Sequence, residues 1–237
     1  MFRITTLVVG SSGQLASEYI NKCNYETIIG VDISNSSQIK NSKFHYLPVN
    51  VTKEEEIHKL VTFLEENSII LNKILFCVGV NKLHNFFSST IEDFEETISV
   101  NFISVYKILK NIYNSLSEKT SIVLVASQNG VVGHIDRIDY GPSKAALIHL
   151  VKNLSLDFAE YSSKDIKVNA ISPGYIVNSK NHDFFNTSKG KKLISKIPYR
   201  KLVTNTDVIN TIDFLFSEKS NAIRGQNIVV DYGFTIQ

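Results

Sequence analysis

The feature that most restricts the fold of this chain is a regular alternation of short apolar runs with longer segments of helical period. Ile4–Val9, Thr27–Val31, Phe44–Leu47, Ile74–Val78, Ser121–Ala126, Val168–Ile171 and Asn227–Val230 read as strands. Most are apolar at successive positions, the pattern of strands covered on both faces. Between them lie helical stretches. One follows the first strand and reaches about Cys23; another carries Ile57, Leu60, Val61 and Leu64 on one stripe. A third runs from Thr90 to about Leu116, and a fourth from about Asp139 to Tyr161 with Leu147, Val151, Leu154 and Phe158 aligned. Thr52 followed by Glu55 predicts a capping box at the start of the second helix, and Thr90 with Asp93 opens the third. Strand–helix–strand repeats imply parallel pairing with right-handed crossovers. The 237 residues leave room for one large core and little for a second domain, so residues 1–237 are expected to form a single α/β domain built on a doubly wound parallel sheet of about seven strands flanked by helices.

Charge and composition exclude several classes. The net charge is +2 and the lysines are scattered, so no basic stripe marks a nucleic-acid partner. No apolar stretch is long enough to span a membrane, and Met1–Ile4 lacks the features of a signal peptide, which predicts a cytoplasmic location. Cys23 and Cys77 are far apart and show no metal-ligand spacing; two reduced thiols and no metal are expected.

Gly10-Ser11-Ser12-Gly13-Gln14-Leu15-Ala16 joins the first strand to the first helix. A pyrophosphate needs backbone N–H groups at a helix N-terminus with no side chains in the way. Gly10 suits the turn, Gly13 the close approach, and Ala16 still permits tight helix–strand packing. Such a turn is common in itself, but Asp32 ends the second strand 22 residues after Gly10. A carboxylate there can accept hydrogen bonds from both ribose hydroxyls of an adenosine. The reading is a Rossmann-type dinucleotide domain. A 2′-phosphate would lie against Asp32, and Ile33 and Ser34 offer no positive charge, so NAD is expected in preference to NADP.

Ser127 closes the fifth strand, and Tyr140 and Lys144 lie four apart on one face of the long helix. The neighbouring ammonium is expected to lower the phenol from its usual ~10. A phenol tuned in this way serves as a proton donor or acceptor. A bare Tyr-x-x-x-Lys pair is common on solvated helices, so the surrounding motifs matter.

Taken in order, these landmarks resemble the short-chain dehydrogenase/reductase family over nearly the whole chain. They are the glycine turn, Asp32, Val100-Asn101, Ser127, Tyr140 with Lys144, Val168-Asn169-Ala170-Ile171-Ser172-Pro173-Gly174, then Gly225-Gln226 and Asp231-Tyr232-Gly233. The resemblance implies an enzyme that interconverts a ketone and a secondary alcohol by hydride transfer. Tyr140 would be general acid and base, Ser127 would hold the substrate oxygen, and Lys144 would bind the nicotinamide ribose. Asn101 would hold a water in a proton relay behind Lys144. It also implies that Ser12, Gln14, Leu15, Asn50, Val51, Val78, Gly79, Pro173, Gly174 and Ile176 lie along the cofactor with Gly10, Gly13, Asp32, Tyr140 and Lys144. The chain departs from the family at Val9, in the Gly-x-x-Gly-x-x-Ala spacing, at Phe76-Cys77-Val78-Gly79, at Asn50 and at Asn178. Those departures keep two other functions open: a catalytically silent cofactor sensor or scaffold, and a sugar-nucleotide-modifying enzyme.

Residues from about 175 to 204 are polar, rich in Lys and Asn, and too long for an ordinary connection. They predict a mobile substrate lid carrying Tyr175, Asn178, His182 and Phe184, with Gln128, His134 and Asn81 as further pocket candidates. A small carbonyl or alcohol is the expected partner, polar or hydroxylated in character. The long helix is apolar at Ala145, Ala146, Leu147, Ile148, Leu150 and Val151, more than one stripe requires, which predicts a homodimer or homotetramer.

Overall fold

Strands β1 (Thr5–Val9), β2 (Thr27–Asp32), β3 (Phe44–Pro48), β4 (Leu71–Phe76), β5 (Leu116–Val125), β6 (Asp165–Pro173) and β7 (Asn227–Val230) form one sheet in the order β3-β2-β1-β4-β5-β6-β7. Every pairing is parallel. The structure is a computed structural model that describes residues 4–23, 27–177 and 181–236. Helices α1 (Gln14–Lys22), α2 (Glu54–Glu66), α3 (Ile91–Ile98), α4 (Ser104–Ile112), α5 (Tyr140–Tyr161), α6 (His182–Asn186), α7 (Ser188–Ile194) and α8 (Asn205–Phe216) connect or flank the strands. Among the described residues no helix is long and apolar enough to cross a membrane.

The strands are buried on both faces because each face has its own layer of helices. Leu7 and Val9 of β1 join one cluster with Leu60, Ile108, Leu147 and Val151, from α2, α4 and α5. Val8, between them, joins the opposite cluster with Tyr19, Ile20, Val208 and Ile212, from α1 and α8. Alternation along a strand thus feeds two cores, as its period of two requires. The chain builds outward from β1 to β3, then returns to lay β4 against the other side of β1. That reversal opens a crevice beyond the carboxyl ends of β1 and β4, where sheets of this kind bind ligands.

Several boundaries differ from the sequence expectation. The capping box at Thr52 and Glu55 does not form. Asn50 Oδ1 accepts from the Thr52 N–H at 3.0 Å and from its hydroxyl at 2.8 Å, so α2 begins one residue after an uncapped Lys53. The single helix expected from Thr90 is divided. Thr90 does cap α3, accepting from the Asp93 N–H, but a π-helical turn at Ser99–Ile103 separates α3 from α4. Leu116, expected in that helix, already belongs to β5. β4 ends at Phe76, so Cys77 and Val78 lie just past it. The segment at 175–204 carries α6 and α7 and is closed at its base by an isolated bridge between Ile176 and Val203. Asn178 lies outside the described residues.

Candidate active site

The crevice is shaped first by a glycine. Gly10 adopts φ +80°, and a Cβ on it would lie 2.6 Å from the Val78 nitrogen and 2.7 Å from its Cα. Only glycine permits both this conformation and this approach. The turn is fastened to the end of β2, since Val31 O accepts from the N–H groups of Gly10 and Ser11 at 2.8 and 3.1 Å. Gly13 is the N-cap of α1 and supplies no side-chain cap, so no side chain from that position covers the helix N-terminus. Asp32 faces this turn. Its carboxylate accepts from the Ser12 N–H at 3.0 Å and, more weakly, from the Ser34 N–H and hydroxyl at 3.4 Å. The Tyr46 hydroxyl donates to Ser34 O beside it, and burial raises that phenol above its ordinary value.

A cavity of about 240 Å³ runs from Asp32 past Gly10 and Gly13 to Asn50, Val78 and Val100. Its walls are mainly apolar, with a carboxylate at one end and an uncapped helix N-terminus on its flank. These residues fit a nicotinamide dinucleotide. Val51 and Gly79 line the same space.

The reacting groups converge at the adjoining end of β5. Ser127 follows the strand, and its hydroxyl accepts from the Asn129 N–H at 3.1 Å, starting a 3-10 turn at Gln128–Gly130. That turn presses on α5 closely enough that a Cβ at Gly130 would sit 2.7 Å from the Lys144 carbonyl carbon. Tyr140 opens α5. The fully buried Asp139 fixes it by accepting from the Tyr140 N–H at 2.7 Å and from the Thr97 hydroxyl at 2.7 Å. The Ser127 side chain lies near enough to the Tyr140 phenol to favour its ionised form.

Lys144, 3% exposed, sends its ammonium to Val125 O at 2.9 Å and lies 5.7 Å from the Tyr140 ring centroid. Burial lowers its pKa to about 8. The expected lowering of Tyr140 by Lys144 is not found. The Tyr140 phenol is raised, because loss of water outweighs the nearby Ser127 side chain and the charge of Arg137. Lys144 is directed at a backbone carbonyl and toward the ring, not at the hydroxyl. Asn101 sits in the π turn with no exposed surface. Its amide oxygen accepts from the Val80 N–H at 2.7 Å, and its nitrogen donates to Val80 O at 2.9 Å and to the Ser143 hydroxyl at 3.0 Å. The side chain is thus spent on holding the β4 loop against α5, so a relay water would have to meet the Asn101 backbone instead.

On the open side of Ser127 and Tyr140 lies a second polar group. His134 Nδ1 lies 2.8 Å from Ile135 O, which makes it the protonated nitrogen, so Nε2 accepts from the Tyr175 hydroxyl at 2.7 Å. The Tyr175 ring also meets Phe234 edge-on, with centroids 5.3 Å apart. Gln128 is 2% exposed, and its amide oxygen has no partner. Gly174 passes so near that a Cβ there would lie 3.3 Å from this oxygen and 2.9 Å from Asp231 Cα. Pro173 ends β6, Gly174 is held by its N–H to Val230 O, and Ile176 anchors the 175–204 segment. His182 and Phe184 are exposed on α6, and Asn81 is exposed on the loop after β4.

A family model described as Enoyl-(Acyl carrier protein) reductase matches residues 13–235. The chain belongs to the short-chain dehydrogenase/reductase family. A curated relative, the 3-oxoacyl-[acyl-carrier-protein] reductase FabG of Buchnera aphidicola, is 29% identical over 97% of this chain and 96% of its own. A short-chain dehydrogenase from Leptospira borgpetersenii, solved with bound NAD+, superposes with a TM-score of 0.86 at 26% identity, covering 98% of this chain and 93% of that one. ElxO, solved with NADP bound, gives a TM-score of 0.86 at 23% identity with full coverage of both chains. The protein is thus an oxidoreductase of the class that acts on CH–OH groups with NAD or NADP.

In this short-chain dehydrogenase/reductase the glycine turn and Asp32 line one crevice, and Lys144 and Asn101 close in on it behind Gly79, with Tyr140 beside Lys144. Sequence reasoning missed Arg137, Ser143 and the Thr97–Asp139 pair.

Proposed function

We propose that the chain is an NAD(H)-dependent oxidoreductase that interconverts a ketone and a secondary alcohol, with Tyr140 as general acid and base. The observation that carries this reading is the meeting of Ser127, Tyr140 and buried Lys144 at the edge of the crevice, where the Lys144 ammonium lies 5.7 Å from the Tyr140 ring and close behind Gly79. In reduction, the substrate carbonyl oxygen accepts from the Ser127 and Tyr140 hydroxyls. Tyr140 then passes its proton to that oxygen, and in oxidation takes it back. The bound nicotinamide supplies or accepts the hydride. Lys144 keeps two donors beyond its bond to Val125, enough to hold a ribose diol. Asn101 positions this group through Val80 and Ser143. Residues 175–204, whose ends meet at the Ile176–Val203 bridge, act as the lid that excludes water.

The preference for NAD rests on Asp32, which faces the turn with no cation among the neighbours named above. The solved relatives divide between NAD+ and NADP, so the choice belongs to this chain's own residues. The experiment is Tyr140→Phe. Turnover should fall at least ~100-fold while NADH fluorescence still reports normal binding, since the ring packs and only the transferable proton is lost. Unchanged turnover refutes the mechanism.

A further inference from the structure

Arg137 is a cation without an acid. It is half-buried, and its Nε is buried with no acceptor. Among the described residues its one hydrogen bond of record runs from Nη1 to the backbone carbonyl of Asp136, at 2.6 Å. Two carboxylates flank it in sequence, yet neither pairs with it. Asp139 is buried and committed to Thr97 and to the Tyr140 N–H. Asp136 accepts from the Asn85 side chain at 3.3 Å. Asp136 itself takes a left-handed φ of 59° in this turn.

The position of the guanidinium gives it a use. The Gly141 N–H donates to Arg137 O at 3.0 Å, so Arg137 lies in the turn that leads into α5, and with Asn129, His134 and Gly141 it lines a cavity of about 480 Å³. Its charge acts on the phenols of both Tyr140 and Tyr175. The cavity it lines opens beside the turn that follows Ser127, and His134 links that cavity to the Tyr175 hydroxyl. A half-buried guanidinium with an unmet donor binds best to an acceptor that is planar, bidentate and negatively charged.

We propose that Arg137 binds a carboxylate on the substrate, so that the reaction takes an oxo acid to the corresponding hydroxy acid or the reverse. The assignment rests on the oxidoreductase reading above and narrows its substrate class. Ser127 and Tyr140 grip the carbonyl oxygen while Arg137 grips the acid end, which fixes which face of the carbonyl meets the hydride.

The test compares oxo acids, their methyl esters and a 3-oxoacyl pantetheine thioester, with NADH and with NADPH, in wild type, Arg137→Met and Arg137→Lys. The wild type should favour the free acid over its ester. Arg137→Met should lower the acid-to-ester ratio of kcat/KM by about 10- to 100-fold, chiefly through KM, and Arg137→Lys should retain part of it. Calorimetry on the NADH-loaded protein adds a readout free of turnover: succinate should bind the wild type and not Arg137→Met, with NADH affinity retained in both. An acid-to-ester ratio that Arg137→Met leaves unaltered overturns the proposal, as does a wild type that prefers the ester or the thioester. If no carbonyl turns over but succinate binds through Arg137, the oxidoreductase reading fails and the anion site stands. If succinate does not bind, the anion site fails whatever the turnover.

Discussion

Burying the Lys144 ammonium has a thermodynamic consequence that depends on pH. Its folded pKa is about 8, against an ordinary 10.5 in the unfolded chain. Between those values the unfolded state holds the extra proton, so this residue's contribution to stability rises with pH across 8 to 10.5. Below that window the penalty is constant and fully expressed. Lys144→Met should therefore stabilise the cofactor-free protein at pH 7 by about 2 kcal/mol after allowing for the lost bond to Val125. Its advantage over wild type should shrink as the pH is raised to 10.5, and its turnover should be lost. Urea midpoints at pH 7 and pH 10 check this; a less stable Lys144→Met at pH 7 would mean that the hydrogen bond to Val125 outweighs the buried charge. Asp32 supports a second prediction. With its carboxylate facing the ribose position and only Ser12 and Ser34 donating to it, kcat/KM for NADH should exceed that for NADPH by at least about tenfold, a gap of roughly 1.4 kcal/mol. Asp32→Asn should narrow the gap by removing the like charge. A wild-type preference for NADPH would refute the assignment.

Among the elements, what could be read from sequence was whatever depends on a repeating pattern. The strands were legible because most are apolar at successive positions, and that same property implies helices on both faces. Their parallel pairing followed from the strand–helix alternation, whereas their order in the sheet came only with the fold. The helix from Thr90 was only half legible, because a π turn inserts one residue without disturbing the run of apolar side chains. Yet that turn is what buries Asn101 against Val80 and Ser143. The start of α2 was misjudged for a different reason. Thr52 and Glu55 have the right spacing for a cap, but Asn50 engages the Thr52 N–H and hydroxyl first, and side chains of this type compete with capping. In their place, Glu54, Glu55 and Glu56 face the positive end of α2. The site shows the same division. The spacing of Ser127, Tyr140 and Lys144 was enough to foresee their meeting. The direction of the Tyr140 shift was not foreseeable, since it depends on how dry the phenol is and on where the Lys144 ammonium points. Arg137 went unread because its meaning lies in the absence of a partner, which only the fold reveals.

At the scale of the whole molecule, one outer face remains rich in exposed apolar groups. Sequence placed the excess on the N-terminal half of α5. There, however, Ile148 and Leu150 pack partly against the core, and Leu147 and Val151 are buried in it. The exposed groups lie further along: Leu156 is 69% and Tyr161 83% exposed, and Tyr106 of α4 is 51% exposed. Tyr106 and Tyr161 border a groove of about 380 Å³ between α4 and α5 whose other walls include Leu109, Tyr113 and Phe158. Aromatic and aliphatic side chains on two adjacent helices make a face that water covers poorly. A second copy of the chain related by a two-fold axis would cover it with the same residues, since an isologous contact needs only one self-complementary patch. Light scattering at micromolar concentration should therefore return a multiple of 26.7 kDa. Replacing Leu156 and Tyr106 together by Asp should shift the mass to that of one chain while leaving circular dichroism unchanged, because both side chains point away from the core. A wild-type mass that stays at 26.7 kDa across a hundredfold range of concentration would show that the face between α4 and α5 stays in water and that the chain works as a monomer.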